Sequence, residues 1–257
     1  MALTIQKSDK PDRTAPVRPA RPASRALDLF TNVLALGALW LLYSAVRMVT
    51  ADEFSIAVGN AFDVVSFQRS LGLPSELNLQ QEFLGRTNVV KMANVYYIAA
   101  HFPVTIAFLA FAWAFRRDHF SRIRNTLIAV SAVGMVIHLL YPLAPPRMME
   151  GVPGFGFVDT GALLGPSPYD LGAGEAANQL AAMPSLHVGW ALLVAIGVIW
   201  MFTSRWRWLV VVHPAITTLV VVLTANHYWT DAFIAAVLVG IAWAAQSFRL
   251  QRSLSWV

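Results

Sequence analysis

The sequence predicts an all-α integral membrane protein, with six transmembrane helices in a bundle and an amphipathic interfacial helical segment between the first two. Three observations lead to this fold class. Hydrophobic residues make up 57% of the 257 residues and charged residues only 13%, whereas a soluble domain has about 25% charged residues. Six apolar stretches approach the roughly 20 residues that a membrane-spanning helix needs. Lys and Arg are also unevenly divided between alternate connecting segments, as in multi-pass proteins.

The elements follow in chain order. Residues 1–26 are basic and rich in proline, without apolar periodicity, which predicts a disordered cytoplasmic tail. Residues 27–250 are interpreted as a single membrane-embedded domain. The predicted spans are 27–48, 88–115, 125–143, 184–203, 208–224 and 227–248.

Two connecting segments are long enough to carry structure of their own. Residues 51–83 mix apolar and charged side chains, and the pattern breaks at Leu73-Pro74-Ser75. This is typical of one or two helices that lie on a membrane surface. Residues 144–182 are rich in Gly, Pro and Ala and form the longest predicted loop.

The distribution of positive charge predicts the orientation of the chain. If the N-terminus is cytoplasmic, the cytoplasmic segments hold fourteen Lys and Arg residues and the opposite side holds five. The positive-inside rule favours this arrangement. We therefore predict a multi-pass protein of the plasma membrane, with both termini in the cytoplasm and the candidate site residues on the extracytoplasmic side.

Cysteine content and charge exclude several classes of function. The chain has no cysteine, which excludes disulfides, iron–sulfur clusters, zinc–thiolate sites and a cysteine nucleophile. The net charge of +5 follows from the basic cytoplasmic segments, and no nucleic-acid-binding motif is present. We predict no nucleic acid as a partner. The predicted partners are the lipid bilayer and a lipid substrate.

Three short segments carry residue types suited to catalysis, and the predicted topology places them at the same end of the bundle. The first segment ends the third span, the second begins the fourth, and the third begins the sixth. They are Tyr141-Pro-Leu-Ala-Pro-Pro-Arg147, Met183-Pro-Ser-Leu-His187 and Asn226-His-Tyr-Trp-Thr-Asp231. Helix packing can bring them together despite their separation in the sequence.

The chemistry of these segments favours phosphoryl transfer. A Ser185 hydroxyl after proline suits a helix N-cap, and helix N-termini attract anions. Arg147 supplies a guanidinium fork matched to phosphate oxygens. His227 and Asp231 are four residues apart on one helix face, so the carboxylate can fix the imidazole tautomer. We predict His227 as nucleophile, Asp231 as its partner, His187 as general acid, and Arg147 and Ser185 as phosphate-binding residues.

Other polar residues near these segments are assigned smaller roles. His138, Asn226 and Tyr228 are predicted to support the catalytic side chains without reacting themselves. His101 lies within the second span, where a polar side chain is often functional, but packing is the favoured interpretation.

Two alternatives use the same residues differently. His187, His227 and Asp231 offer three of the ligands of a tetrahedral zinc site, but Arg147 and a helix N-terminus would repel a cation. We therefore predict no metal and no cofactor. A non-catalytic lipid-binding or transport protein would use the anion site without needing an oriented nucleophile.

The quoted segments resemble the signature motifs of the type 2 phosphatidic acid phosphatase superfamily. Pro184-Ser185-Leu186-His187 and His227-x-x-x-Asp231 resemble its second and third motifs, and Arg147 matches the arginine of the first. The details look closer to the branch of the inositol phosphorylceramide synthases. The stretches that carry this likeness are Tyr141–Arg147, Gly156–Thr160, Ala182–Trp190 and Ala225–Trp229, within a resemblance that covers residues 50–245. It implies a metal-independent six-helix enzyme with a phosphohistidine intermediate at His227.

The sequence departs from the phosphatase members at three positions. Leu140 and Val221 stand where those members carry lysine and arginine, and Leu186 stands where they usually carry glycine. With two phosphate-binding cations fewer, the chain is better suited to a less charged phosphodiester. We therefore predict a phosphotransferase that moves a phospho-headgroup from a lipid to a hydroxyl acceptor. The substrate is a phospholipid or an isoprenoid- or sphingolipid-type phosphate; a lipid phosphate phosphatase, with water as acceptor, is the alternative.

Overall fold

The computed structural model describes residues 22–50, 53–166 and 179–254, and within these ranges it is helical, without β-strands. The longer helices are α1 (Pro22–Thr50), α2 (Phe54–Ser70), α3 (Glu76–Leu84), α4 (Thr87–Phe115) and α5 (Arg117–Leu140). They are followed by α6 (Thr160–Leu164), α7 (Leu186–Met201), α8 (Val212–Leu223) and α9 (Trp229–Leu254). Short 3₁₀ helices cover Pro146–Met149 and Arg205–Val211.

Five helical stretches in the described chain are long and apolar enough to cross a membrane. They are Arg25–Val46, Thr87–Phe115, Arg117–Leu140, Arg205–Leu223 and Trp229–Gln246. The sixth apolar helix, α7, has 16 residues, so it is about 24 Å long and shorter than the roughly 30 Å hydrocarbon core. A multi-pass membrane protein is thereby supported, but the predicted count of six spans is not confirmed.

Several boundaries differ from the sequence-based expectation. The third span was expected to begin at residue 125, but α5 already begins at Arg117. Its arginines lie on aromatic rings, with Arg117 4.4 Å from the centre of Trp113 and Arg122 4.0 Å from that of Trp243. Such contacts stabilise charged residues in a helix end. Residues 1–21 of the predicted tail lie outside the described ranges, as do 167–178 of the long loop, and α1 already begins at Pro22.

By internal packing the chain divides into two units, Met1–Ala38 and Leu39–Val257. The described part of the first unit is the beginning of α1. In the second unit, α7 packs against α4, α5, α8 and α9. Gly197 permits the closest of these approaches, because a Cβ there would lie 2.5 Å from the Phe108 ring.

The second unit has two chemically different ends. At one end, α5 and α8 finish and α7 and α9 begin, so all three candidate segments lie there. At the opposite end lie Arg116, Arg117, Arg205 and Arg207, around the α4–α5 connection and the end of α7. Helix α2 packs on the first end, where Ala57, Ala61 and Val64 join a core cluster formed by the candidate segments.

Candidate active site

Backbone hydrogen bonds hold the three candidate segments together. Leu143 N–H donates to Leu180 O at 2.7 Å, and Arg147 N–H donates to Ala225 O at 2.8 Å. Ser185 N–H donates to Asp231 O at 3.1 Å. The second and third segments are thus joined directly by a backbone hydrogen bond. The first segment is joined to residues that lie immediately before the other two. These bonds fix the relative positions of the segments independently of any ligand.

The imidazole of His227 is held at one nitrogen by two acceptors. Its Nδ1 lies 2.8 Å from Ala182 O and 3.3 Å from Asp231 Oδ2. A carbonyl and a carboxylate can only accept, so Nδ1 must carry the hydrogen. In the neutral ring, Nε2 then has a free lone pair, as an attacking nitrogen requires.

Asp231 is a fully buried carboxylate with several partners on one oxygen. Its Oδ2 accepts from His227 Nδ1 and, at 2.8 Å, from Tyr228 N–H. Its Oδ1 is buried and has no hydrogen-bond partner among the described residues. A carboxylate placed in this way stabilises positive charge that develops on the adjacent imidazole.

His187 lies next to His227 in the first turn of α7. The two ring centroids are 5.9 Å apart. The His187 ring stacks between Tyr97, at 4.3 Å, and His101, at 4.0 Å. His101 in turn stacks on Trp190 at 4.5 Å. His101, for which packing was favoured, is therefore in direct contact with the predicted general acid.

Ser185 and His138 shape the start of α7. The Ser185 hydroxyl is buried and accepts from Val188 N–H at 3.4 Å, which makes it the predicted N-cap. His138 Nε2 lies 3.3 Å from Pro184 O and must donate, since the carbonyl only accepts. An anion can bind N–H groups in the first turn of α7.

Arg147 is buried, and its guanidinium is held at two points. Its Nε donates to Asn226 Oδ1 at 3.1 Å, and Nη1 lies 3.7 Å from Asp159 Oδ2. The predicted supporting residue Asn226 therefore orients Arg147. Sequence reasoning did not assign a role to Asp159, although it lies in one of the stretches that carried the family likeness.

The supporting role predicted for Tyr228 has a structural counterpart. Its hydroxyl donates to Ala144 O at 3.1 Å, which joins the third segment to the first. Burial, and then the charges of Asp231 and Glu76, raise the pKa of Tyr228. The hydroxyl thus stays protonated and remains a donor at neutral pH.

Two residues missed by the sequence analysis close the beginning of α9. Glu76 Oε1 accepts from Trp229 N–H at 3.1 Å, and Gln68 Oε1 accepts from Thr230 N–H at 2.9 Å. Gln68 Nε2 also donates to Glu76 at 2.7 Å. Both side chains are buried. They satisfy helix-terminal N–H groups directly after His227, and their position in an amphipathic stretch was the only available signal.

The described residues contain no group of three or more His, Asp or Glu side chains arranged to hold a metal ion. Leu140, which is 76% exposed, and Val221, which is fully buried, are both uncharged. Neither position therefore adds a cation beside Arg147.

A comparison of the sequence with protein-family models matches the part of the chain that contains the three candidate segments. A family model described as PAP2 superfamily matches residues 62–245, and the chain belongs to this superfamily. Searches of curated proteins and of solved structures gave no match. Membership indicates a lipid phosphatase or phosphotransferase type of activity on lipid phosphates in a bilayer. The resemblance to the superfamily is thus confirmed, while the inositol phosphorylceramide synthase-like branch remains a prediction.

Proposed function

We propose that this protein is a membrane phosphotransferase that moves a phospho-headgroup from a lipid phosphodiester to a hydroxyl acceptor through a phosphohistidine at His227. One observation carries the proposal. Nδ1 of His227 faces two acceptors, so the neutral ring has its lone pair on Nε2. A binding or transport protein has no need for a histidine whose tautomer is fixed in this way.

In the first step, Nε2 of His227 attacks phosphorus and the bond from phosphorus to the lipid alcohol oxygen breaks. Protonated His187, whose ring lies beside that of His227, gives its proton to the departing oxygen. Asp231 stabilises the positive charge on the phosphorylated ring. Arg147 and the first-turn N–H groups of α7 bind the remaining phosphate oxygens.

The second step reverses the first with a different alcohol. Neutral His187 takes the proton of the acceptor hydroxyl as its oxygen attacks phosphorus. The bond between phosphorus and His227 Nε2 breaks, and the free imidazole is restored. Water in place of the alcohol gives hydrolysis, so the nature of the acceptor separates the two activities of the superfamily.

The charges around Arg147 favour a phosphodiester donor. Asp159 faces the guanidinium at 3.7 Å, and the buried Asp231 lies 3.3 Å from His227 Nδ1. A phosphomonoester brings close to two negative charges to the site, whereas a phosphodiester brings one. Repulsion from Asp159 is therefore smaller for the diester.

We expect Asp159→Asn to shift this selectivity. Asparagine can still accept from Ala162 N–H, as Asp159 does in capping α6, so the loop keeps its cap. Loss of one negative charge is expected to raise kcat/KM for a phosphomonoester over that for a phosphodiester about tenfold, or about 1.4 kcal/mol. The measurement is a kinetic comparison of phosphatidic acid with phosphatidylinositol.

Asp118→Asn is the matched control, because Asp118 lies in the first turn of α5 at the opposite end. It changes the net charge equally and should leave the ratio unaltered. An unchanged ratio in Asp159→Asn would show that Asp159 does not select the substrate.

We further propose the orientation predicted from the positive charges. The site lies at the end of the second unit opposite Arg116, Arg117, Arg205 and Arg207. The positive-inside rule assigns the arginine-rich end to the cytoplasm. The proposed reaction then takes place at the extracytoplasmic side of the plasma membrane.

Product analysis tests the proposed activity. Purified protein in lipid nanodiscs receives phosphatidylinositol and a diacylglycerol of different chain length, with a chelator present. We expect a new phosphatidylinositol with the chains of the added diacylglycerol, and little free inositol phosphate. Rapid release of phosphate from phosphatidic acid, without headgroup transfer, would instead establish the phosphatase.

A further inference from the structure

A small cleft with about 10 Å³ of water-accessible space lies between α4, α7 and α8, and two of these helices belong to stretches that are long and apolar enough to cross a membrane. We name it the histidine cleft. The side chains with polar atoms in its lining are Tyr96, Tyr97, His101 and Thr105 of α4, His187 of α7, and His213 and Thr217 of α8. Polar side chains at membrane depth are costly and usually face a functional cavity. None of these seven residues belongs to the predicted phosphate-binding set.

The cleft adjoins the reaction centre through His187. This histidine both lines the cleft and lies 5.9 Å, between ring centroids, from His227. His101 stacks on it at 4.0 Å and lines the same cleft. A ligand in the cleft is therefore adjacent to the group that donates or accepts the proton.

The lining is matched to neutral hydroxyl groups. No Asp, Glu, Lys or Arg is among the described residues that line it, so it offers a phosphate no counter-charge. His101 makes ring contacts but no hydrogen bond within the described chain. A neutral imidazole has one donor and one acceptor, and a hydroxyl is complementary to both.

A hydrogen-bonded cluster forms another part of the wall. The Tyr96 hydroxyl lies 2.9 Å from His213 Nδ1 and 3.0 Å from Thr217 Oγ1. On α4 the lining extends from Tyr96 to Thr105, about 14 Å along the helix axis. The accessible space of about 10 Å³ is that of about one water. It therefore admits a single hydroxyl group and leaves the hydrocarbon chain outside.

We propose that the histidine cleft binds the hydroxyl-bearing end of the lipid alcohol, both when it leaves the donor and when an acceptor takes its place. The inference rests on the proposed function, because one histidine must meet both alcohols as acid and then as base. The phosphate lies on the Arg147 side of His227 and His187, and the alcohol lies on the side of His101.

Photolabelling tests the site without requiring turnover. The protein in nanodiscs is irradiated with a long-chain alcohol that carries a diazirine near its hydroxyl, and labelled residues are identified by mass spectrometry. We expect label on α4 between Tyr96 and Thr105 and on α8 between His213 and Val221. Excess 1-dodecanol should compete, and dodecane should not. Label confined to lipid-exposed residues such as Met92, or insensitive to 1-dodecanol, would overturn the assignment.

His101→Phe tests the chemistry of the wall, because it keeps a flat ring in the stack and removes both nitrogens. We expect at least a tenfold fall in the ratio of transfer to 1-dodecanol over hydrolysis, with phosphatidylinositol as donor. His119→Phe is the matched control, since His119 packs on Trp200 away from the cleft. An equal ratio in wild type and His101→Phe would contradict the proposal.

The two experiments separate the possible failures. Competed label in the cleft of a protein that turns over no phospholipid would support the alcohol site and refute the proposed activity. Headgroup transfer without label in the cleft would support the activity and refute the alcohol site.

Discussion

His227→Ala is expected to reduce headgroup transfer by about 10⁴-fold or more, which corresponds to about 5.4 kcal/mol of lost transition-state stabilisation. The reason is the fixed tautomer. The two acceptors at Nδ1, Ala182 O and Asp231 Oδ2, leave Nε2 as the attacking atom. Alanine removes this atom, and no other side chain in the described site is held in the same way.

A trapping experiment gives the measurement. Wild-type protein is mixed with a donor labelled at phosphorus and quenched within milliseconds in alkali, in which a phosphohistidine persists. We expect a labelled protein band that disappears after acid treatment and that His227→Ala does not form. His119→Ala should label like the wild type, because His119 lies at the beginning of α5, far from the candidate segments. Full turnover by His227→Ala would refute the covalent mechanism.

His187→Ala is expected to have an effect that depends on the leaving group. With a lipid alcohol, whose alkoxide is a poor leaving group, loss of the general acid should lower kcat about 10²–10⁴-fold. With p-nitrophenol as the leaving group, the departing oxygen needs no proton. The loss should then be about tenfold or less. The contrast between the two substrates identifies an acid, because a misfolded protein loses both activities equally.

The matched variant for this experiment is His187→Phe, which keeps a ring between Tyr97 and His101. It should show the same dependence on leaving group as His187→Ala, since both lack the proton donor. If both variants lost the two activities in the same proportion, His187 would be a packing residue and the acid would have to be another group.

The local parts of the site could be predicted from sequence because short-range geometry determines them. A four-residue spacing predicted the bond between His227 and Asp231, which the structure has at 3.3 Å. Ser185 after a proline predicted the cap of α7, and its hydroxyl accepts from Val188 N–H. In both cases donor and acceptor are within four positions of each other. His227 itself precedes α9, which begins at Trp229, so the expected shared helix face is wrong and the local turn at the helix start makes the contact.

The remaining parts depend on contacts between distant positions, which periodicity does not encode. Ala182 is the nearer acceptor of His227, but a backbone carbonyl has no signature in the sequence. Asp159 reaches Arg147 through a loop whose course no local pattern determines. The beginning of α5 lies before the predicted start because its arginines pack on tryptophan rings, and the local sequence pattern does not encode such contacts.

Gln68 of α2 and Glu76 of α3 supply acceptors to the first N–H groups of α9, so variants outside the three candidate segments can affect the site. The two acceptors come from positions 162 and 153 residues away from the N–H groups that they satisfy. Losing either leaves a part-buried amide without this partner, at a cost of up to about 1–3 kcal/mol, within three residues of the proposed nucleophile His227. A related chain can therefore retain all three signature segments and still be inactive if Gln68 in α2 or Glu76 in α3 is replaced. Intact motifs alone do not identify an active protein.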